Sequence, residues 1–171
     1  MNKFTPDQLL YLAGLIDGDG SIIAQLVSRK DYTWEFQIRL TVQVTQLKKR
    51  RWFLEELQKE IGAGSVRDRD TVSDYILTET SNVYKFLKDL QPHLRLKQKQ
   101  ANLVLRIIEQ LPSSKASKEI FLELCNVVDH VATLNDTKKR KYTAEIVAAK
   151  LKELKECVVP VETSEETNSG I

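Results

Sequence analysis

A mixed α/β (α+β) fold, in which antiparallel strand pairs alternate with helices, is what this sequence predicts. Three observations carry that expectation. Residues 34–45 alternate without a break: Trp34, Phe36, Ile38, Leu40, Val42 and Val44 fall on one side, and Glu35, Gln37, Arg39, Thr41, Gln43 and Thr45 on the other. That is the period of a half-buried strand. A capped apolar helix precedes this strand. Amphipathic stretches of helical period follow it, punctuated by glycines, prolines and two shorter strands.

In chain order, the first helix starts with Thr5 as N-cap, Pro6 at the first helical position and Gln8 three residues after the cap, the signature of a capping box. Leu9, Leu10, Leu12, Ala13 and Ile16 recur at helical spacing, and Gly18 and Gly20 are expected to stop the run. Residues 21–28 read as a strand, joined to the strand at 34–45 by a turn containing Arg29, Lys30 and Asp31. Residues 47–61 form an amphipathic helix closed by Gly62. Strands near 64–69 and 72–78, a helix at 81–90 before Pro92, and a helix at 98–111 ended by Pro112 complete an αββαββα order. Helices at 117–134, with Ser117 as N-cap, and at 143–156 follow. Residues 1–157 thus make one domain, and the polar residues 158–171 read as a disordered tail.

With 171 residues, 42% hydrophobic and 29% charged, the chain is long enough for one ordinary core and too apolar for a disordered protein. No run of about 18 apolar residues is present, so no membrane span is expected. The first residues carry neither a secretory signal nor a transit pattern. Cys125 and Cys157 have no metal-ligand spacing and make no disulfide framework, which fits a reducing, intracellular setting. Cys125 reads as a small buried residue, and His93 and His130 as structural or surface histidines. Net charge is only +2, but its distribution is uneven. Residues 29–51 hold seven basic side chains against Asp31 and Glu35, and further clusters lie at 95–99 and 138–141. Separated basic patches suggest a polyanion on one face; solvated helix faces are the bland alternative.

The polar side of the strands is unusual. It offers Gln25, Gln37, Arg39, Gln43, Arg67 and Arg69, long side chains with paired donors and acceptors. Gln suits adenine edges and Arg suits guanine edges in a major groove. A twelve-residue strand covers about 40 Å, on the order of ten base pairs at about 3.4 Å each. A merely wet sheet face is the competing reading.

The segment Leu12-Ala13-Gly14-Leu15-Ile16-Asp17-Gly18-Asp19-Gly20 occurs once. Gly14 and Gly18, four apart, share a helix face and permit close approach. That approach is either one tight contact inside the chain or self-association about a two-fold axis. Asp19 follows the helix end, where unpaired carbonyls and the macrodipole favour a cation. A carboxylate beside a carbonyl is a fragment of a hard-ion site, incomplete in one copy; an Asp between glycines is also a common turn residue.

This segment closely resembles the LAGLIDADG motif of homing endonucleases, with Gly18 where the motif has alanine. The likeness continues through Gln43-Val44-Thr45-Gln46, Arg50-Arg51-Trp52-Phe53-Leu54, Val66-Arg67-Asp68-Arg69, Ser73-Asp74-Tyr75-Ile76-Leu77 and Leu96-Lys97-Gln98-Lys99-Gln100-Ala101-Asn102. It spans roughly residues 8–145 and is to the single-motif, homodimeric subgroup of the green-algal chloroplast ribosomal RNA intron type. The resemblance implies a curved sheet forming a DNA-binding saddle, a homodimer, an organellar setting, and cleavage of both strands of a long pseudo-palindromic double-stranded DNA site with Mg²⁺ or Mn²⁺. It implies Asp19 and the Gly18 carbonyl as metal ligands, Gln46 as organiser of the attacking water, and Lys97 and Arg50 at the scissile phosphate. It places Gln25, Val27, Arg29, Tyr32, Gln37, Arg39, Gln43, Arg67, Arg69, Asp74 and Ile76 on the DNA-facing sheet, and Lys138 and Lys141 in a phosphate-contacting segment. Leu12, Gly14, Leu15 and Gly18 are expected at the dimer interface. Val27, Arg29, Asp31 and Arg39 depart in character from the family, so its target sequence does not carry over. An RNA maturase or a non-cleaving DNA-binding protein of the same fold are the alternatives. One motif copy, with Asp19, Gln46 and Lys97 all present, argues against the maturase; a metal-dependent cleavage assay separates the binding protein.

Overall fold

The computed structural model describes residues 1–137 and 139–156. Helix α1 (Pro6–Asp19) begins as expected: the Gln8 N–H donates to Thr5 Oγ1 at 3.3 Å and the Thr5 N–H to Gln8 Oε1 at 2.8 Å. Gly18 does not stop it; the helix runs on to Asp19, and Gly20 ends it. A Cβ at Gly20 would lie 2.7 Å from the Ile16 Cα, so only glycine lets the chain fold back this tightly into a strand.

Strand β1 (Gly20–Ser28) pairs antiparallel with β2 (Phe36–Leu47). The second strand starts two residues later than its alternation predicts, because Glu35 adopts φ 55 and breaks the extended path. The turn is closed by hydrogen bonds from the Arg29 N–H to the Glu35 carbonyl and from the Glu35 N–H to the Tyr32 carbonyl, both 2.8 Å. Leu47, expected to open a helix, still pairs with Val72; a single 3₁₀ turn, Lys48–Arg50, then leads into α2 (Arg51–Ile61). Gly62 closes α2 with φ 71, the left-handed cap that glycine tolerates best. Strands β3 (Ser65–Arg69) and β4 (Val72–Leu77) complete a four-stranded antiparallel sheet of order β1-β2-β4-β3.

Helix α3 (Thr80–Leu90) follows, and α4 (Gln98–Ser114) does not end at Pro112. Pro112 gives up its bond to the Ile108 carbonyl and crowds that carbonyl, yet its fixed φ suits a helix and the chain runs on for two residues; the Pro112 carbonyl accepts from the Lys115 N–H. Helices α5 (Lys118–Leu134), capped by Ser117, and α6 (Ala144–Glu156) close the described chain. The expected tail at 158–171 and Lys138 lie outside the described residues. No described helix is long and apolar enough to cross a membrane.

The strand periodicity sorts the sheet into two faces. Ile22, Ala24, Leu26, Phe36, Ile38, Leu40, Val42, Val44, Tyr75 and Leu77 are buried beneath the helices. The pairings Gln25–Arg39, Val27–Gln37, Gln43–Ile76 and Arg67–Asp74 put the opposite set on one outer face. Burying the inner face at about 25 cal/mol per Å² drives the fold, and a one-residue slip would exchange the two faces. The outer face is therefore fixed in register by the core.

Candidate active site and nucleic-acid interface

The end of α1 meets the end of β2 because Gly20 pairs with Val44. That register brings Gln46 beside Asp19: Gln46 Nε2 donates to Asp19 Oδ2 at 2.7 Å. Arg50, in the 3₁₀ turn that follows β2, donates from Nη1 to Gln46 Oε1 at 3.2 Å. The three side chains form one hydrogen-bonded row, with the Gln46 amide held in one orientation from both ends.

Lys97 arrives from 80 residues away. Its Nζ donates to the Asp17 carbonyl at 2.5 Å, and its own N–H donates to Asp17 Oδ1 at 3.0 Å. The Arg95 N–H donates to Asp17 Oδ2 at 2.7 Å. Burial pushes the Asp17 carboxyl up, but the N–H groups of Arg95, Lys97 and Leu96 and the Lys97 charge outweigh it and hold the carboxyl below its ordinary value. All four residues expected to be catalytic thus meet at the C-terminal end of α1. Asp17 is the member that sequence reasoning missed; its place one residue before Gly18 in the motif was the available signal.

Asp19 is exposed, and its Oδ1 receives no hydrogen bond from the described residues. Gly18, also exposed, lies beside it at the helix end. Among the described residues, no group of three or more His, Cys, Asp or Glu could hold a metal ion. A carboxylate oxygen and a helix-end carbonyl suit a hard divalent ion but supply too few ligands. The donor set is therefore a fragment of a hard-ion site, incomplete among the described residues.

The outward stripe of α1 is apolar and open. A Cβ at Gly14 or Gly18 would meet nothing within 4 Å, so these glycines do not serve a tight contact inside the chain. Leu10 and Tyr11 beside them are 59% and 53% exposed. Leu12 corrects the interface expectation: it is fully buried in the chain's own core with Ala13 and Ile16, because 3.6 residues per turn sets it opposite Gly14. Leu15 is half-buried at the margin. The outward stripe is Leu10, Tyr11, Gly14 and Gly18; α1 is apolar almost all round, which hides this division in the sequence.

On the outer sheet face, Gln25, Arg39 and Arg67 are exposed, and none has a hydrogen-bond or ionic partner among the described residues. Gln37 is half-buried, with an unpaired Oε1; Val27 and Ile76 are half-buried neighbours of these polar groups. Asp74 lies on this face but is 6% exposed. Its Oδ1 accepts from Thr45 Oγ1 at 2.6 Å and Gln43 Nε2 at 3.0 Å, and its Oδ2 from Arg69 Nε at 3.2 Å. Burial raises its pKa, but the bonds from Thr45, Arg69 and Gln43 dominate and lower it. Asp74 aims Gln43 and Arg69 outward rather than facing out itself. At the hairpin tip, Arg29 is bound by Asp31 through two bonds of 2.9 Å and lies over the Tyr32 ring, so the three residues form one unit.

A groove of ≈ 930 Å³ follows the free edge of β1; its lining includes Gln25, Lys97, Lys139 and Lys141. Its far wall is anchored by Asn135, whose Nδ2 donates to the Ile22 carbonyl at 2.7 Å, and by Arg140, paired with Asp129 at 2.6 Å. Lys141 is exposed, over the Tyr142 ring.

Residues 12–100 match the LAGLIDADG endonuclease family. The DNA endonuclease I-CreI of Chlamydomonas reinhardtii is 58% identical over 154 residues, covering 90% of this chain and 94% of that protein. The DNA endonuclease I-CvuI of Chlorella vulgaris is 41% identical over 151 residues, covering 86% and 93%. The crystal structure of I-CvuI in complex with its target in the presence of calcium superposes with a TM-score of 0.82, at 39% identity, covering 86% of this chain and 94% of that one. With its single motif copy, its helix-end carboxylate and its αββαββα frame, the chain belongs to the LAGLIDADG endonuclease family.

Proposed function

We propose that two copies of this chain form a homing endonuclease that binds a long pseudo-palindromic double-stranded DNA site and hydrolyses both strands, promoting intron mobility. The Arg50–Gln46–Asp19 row, ending in a free carboxylate oxygen beside an open helix stripe, carries this reading. The stripe pairs with its own copy about a two-fold axis and brings two Asp19 carboxylates together, completing the ligand set that one chain leaves at half. Leu10, Tyr11, Gly14 and Gly18 make that contact, and the two glycines let the helix backbones approach closely. The intracellular, organellar setting belongs to the same proposal.

DNA lies along the outer sheet face. Gln25, Gln37, Arg39, Gln43, Arg67 and Arg69 meet base edges, with Val27 and Ile76 between them and Tyr32 and Arg29 at the hairpin tip. Lys141 contacts phosphates at the groove beside β1; the phosphate contact expected of Lys138 falls outside the described residues.

The site fits Mg²⁺, or Mn²⁺ in its place, held by Asp19 and the Gly18 carbonyl. When bound, the ion supplies an activated water and neutralises charge on the transferring phosphoryl. The protein does the remainder. Gln46, whose amide does not titrate, holds Asp19 and orients water without taking its proton. Lys97 stabilises negative charge growing on the phosphoryl oxygens. Arg50 fixes Gln46 and adds a second positive charge to the same pocket.

The test is a selection for cut molecules from a randomised DNA library, run with Mg²⁺ and with chelator. Recovery of one long, nearly symmetrical site, dependent on Mg²⁺, is expected. A protein that enriches such a site by binding but never cuts it contradicts the nuclease reading.

A further inference from the structure

We propose that Asp17 is a positioning residue for the reaction, holding Lys97 in place from both its backbone and its side chain. The inference rests on the reading of Lys97 as a group acting at the phosphate.

The segment leading into α4 has little to fix it. Leu94 is buried, but Arg95 is exposed and Leu96 is 76% exposed. Lys97 is the N-cap of α4, and no side chain of its own segment caps that helix. The entry to a helix leaves backbone N–H groups that need partners from elsewhere, and Asp17 reaches this one from across the fold: Oδ1 takes the N–H of Lys97, the N-cap, and Oδ2 that of Arg95, two residues before it. The Lys97 ammonium closes the loop in the other direction by donating to the Asp17 carbonyl, an unpaired helix-end acceptor where the macrodipole favours a cation.

One residue therefore grips Lys97 twice, two positions before Asp19 on the same rigid helix. An ammonium has three donors. One is spent on the Asp17 carbonyl, which leaves two to face a phosphate. With free rotation about four side-chain bonds, Lys97 would otherwise have no fixed distance from Asp19. A misplacement of about 1 Å in such a group costs about 100-fold in rate.

The experiment compares the full-length wild type with D17N, K97A and the double variant. Each is assayed for single-turnover cleavage, DNA affinity, melting temperature and amide exchange at Arg95 and Lys97. D17N should lose about 10- to 100-fold in cleavage rate with affinity changed less than about threefold, while both amides exchange faster. The double variant should be no slower than K97A, since a residue acting through Lys97 has nothing left to lose without it. Multiplying losses in the double variant, or an unchanged D17N rate despite faster amide exchange, overturns the proposal and leaves Asp17 as a plain helix cap. K97A cutting like the wild type overturns the reading of Lys97 itself, and the proposal with it. If D17N does not fold, the wild type answers alone. Its Lys97 ammonium should give a protected, slowly exchanging signal in lysine-selective nitrogen spectra. A Lys97 signal averaged with those of exposed lysines contradicts the clasp.

Discussion

At the end of α1, each charged group of the site is held by another part of the chain: Asp19 by Gln46, Arg50 by Gln46, and Lys97 by Asp17. On the outer sheet face, Gln25, Arg39 and Arg67 extend outward with no hydrogen-bond or ionic partner among the described residues. The contrast follows from what each region must do. Chemistry needs a few groups at fixed distances, and the chain supplies them with backbone register and mutual hydrogen bonds. The base reading proposed for the sheet needs free donors and acceptors, and these side chains have them. Under the proposed function, the exposed, unpartnered residues of the sheet face could change, and the target with them, without disturbing the core or the hydrogen-bonded row at the end of α1. Val27 and Arg39 lie on that face. Part of the face is wired like the site instead: Arg29 is held by Asp31, and the buried Asp74 holds Gln43 and Arg69.

This difference can be broken experimentally, beginning with the largest effect. Asp19→Asn should reduce cleavage by more than about 10³-fold, the scale expected when one member of a catalytic unit is removed, with DNA affinity within about threefold by fluorescence anisotropy. Retained cutting would erase the distinction between the regions. Gly14→Leu should cost both assembly and cleavage, read by sedimentation and by cleavage of the same samples. Inside one chain this substitution has room, and helix propensity alone would stabilise it by about 1 kcal/mol. A Gly14→Leu protein that stays dimeric and active would place the interface elsewhere. Arg39→Ala should weaken binding by about 10-fold or more and relax the preference at one base pair, about 1–3 kcal/mol of discrimination, with saturated cleavage and melting temperature unchanged. An equal loss on every sequence would make Arg39 a phosphate contact instead.

The smallest effect concerns Asp74. Its folded carboxyl titrates below its ordinary value, so its contribution to stability is fully present above the unfolded value of about 3.9. It disappears as pH falls through the folded value. Asp74→Asn should therefore lower the melting temperature at pH 7, and the gap to wild type should narrow as pH drops below about 4. A gap that stays constant would mean the Asp74 charge is not what holds Gln43 and Arg69.

Much of the fold was legible because its signals are local. The Thr5–Gln8 cap, the alternation through Val44 and the left-handed Gly62 each depend on neighbours a few residues away. The outer face was legible for the same reason, since period two assigns every second residue to it. What stayed hidden depends on distant partners. Leu10, Tyr11 and Leu12 are consecutive and all apolar, and only packing decides that Leu12 alone is core. Glu35 at φ 55 and a helix carrying Pro112 in its last turn reflect surroundings outweighing local propensity. The grip of Asp17 on Lys97 joins residues 80 apart, for which no periodicity exists.

Half of a metal site per chain is the central claim, and mixed assemblies test it. Wild-type and Asp19→Asn chains co-folded in varying ratios, at constant total protein and saturating DNA, should make strand scissions, with nicks and double-strand cuts all counted, in proportion to the square of the wild-type fraction. An equal mixture would then keep about a quarter of the activity, because a closed two-fold pair needs both copies intact. Activity that falls linearly, leaving about half in the equal mixture, would mean each chain carries a complete site and would contradict the account.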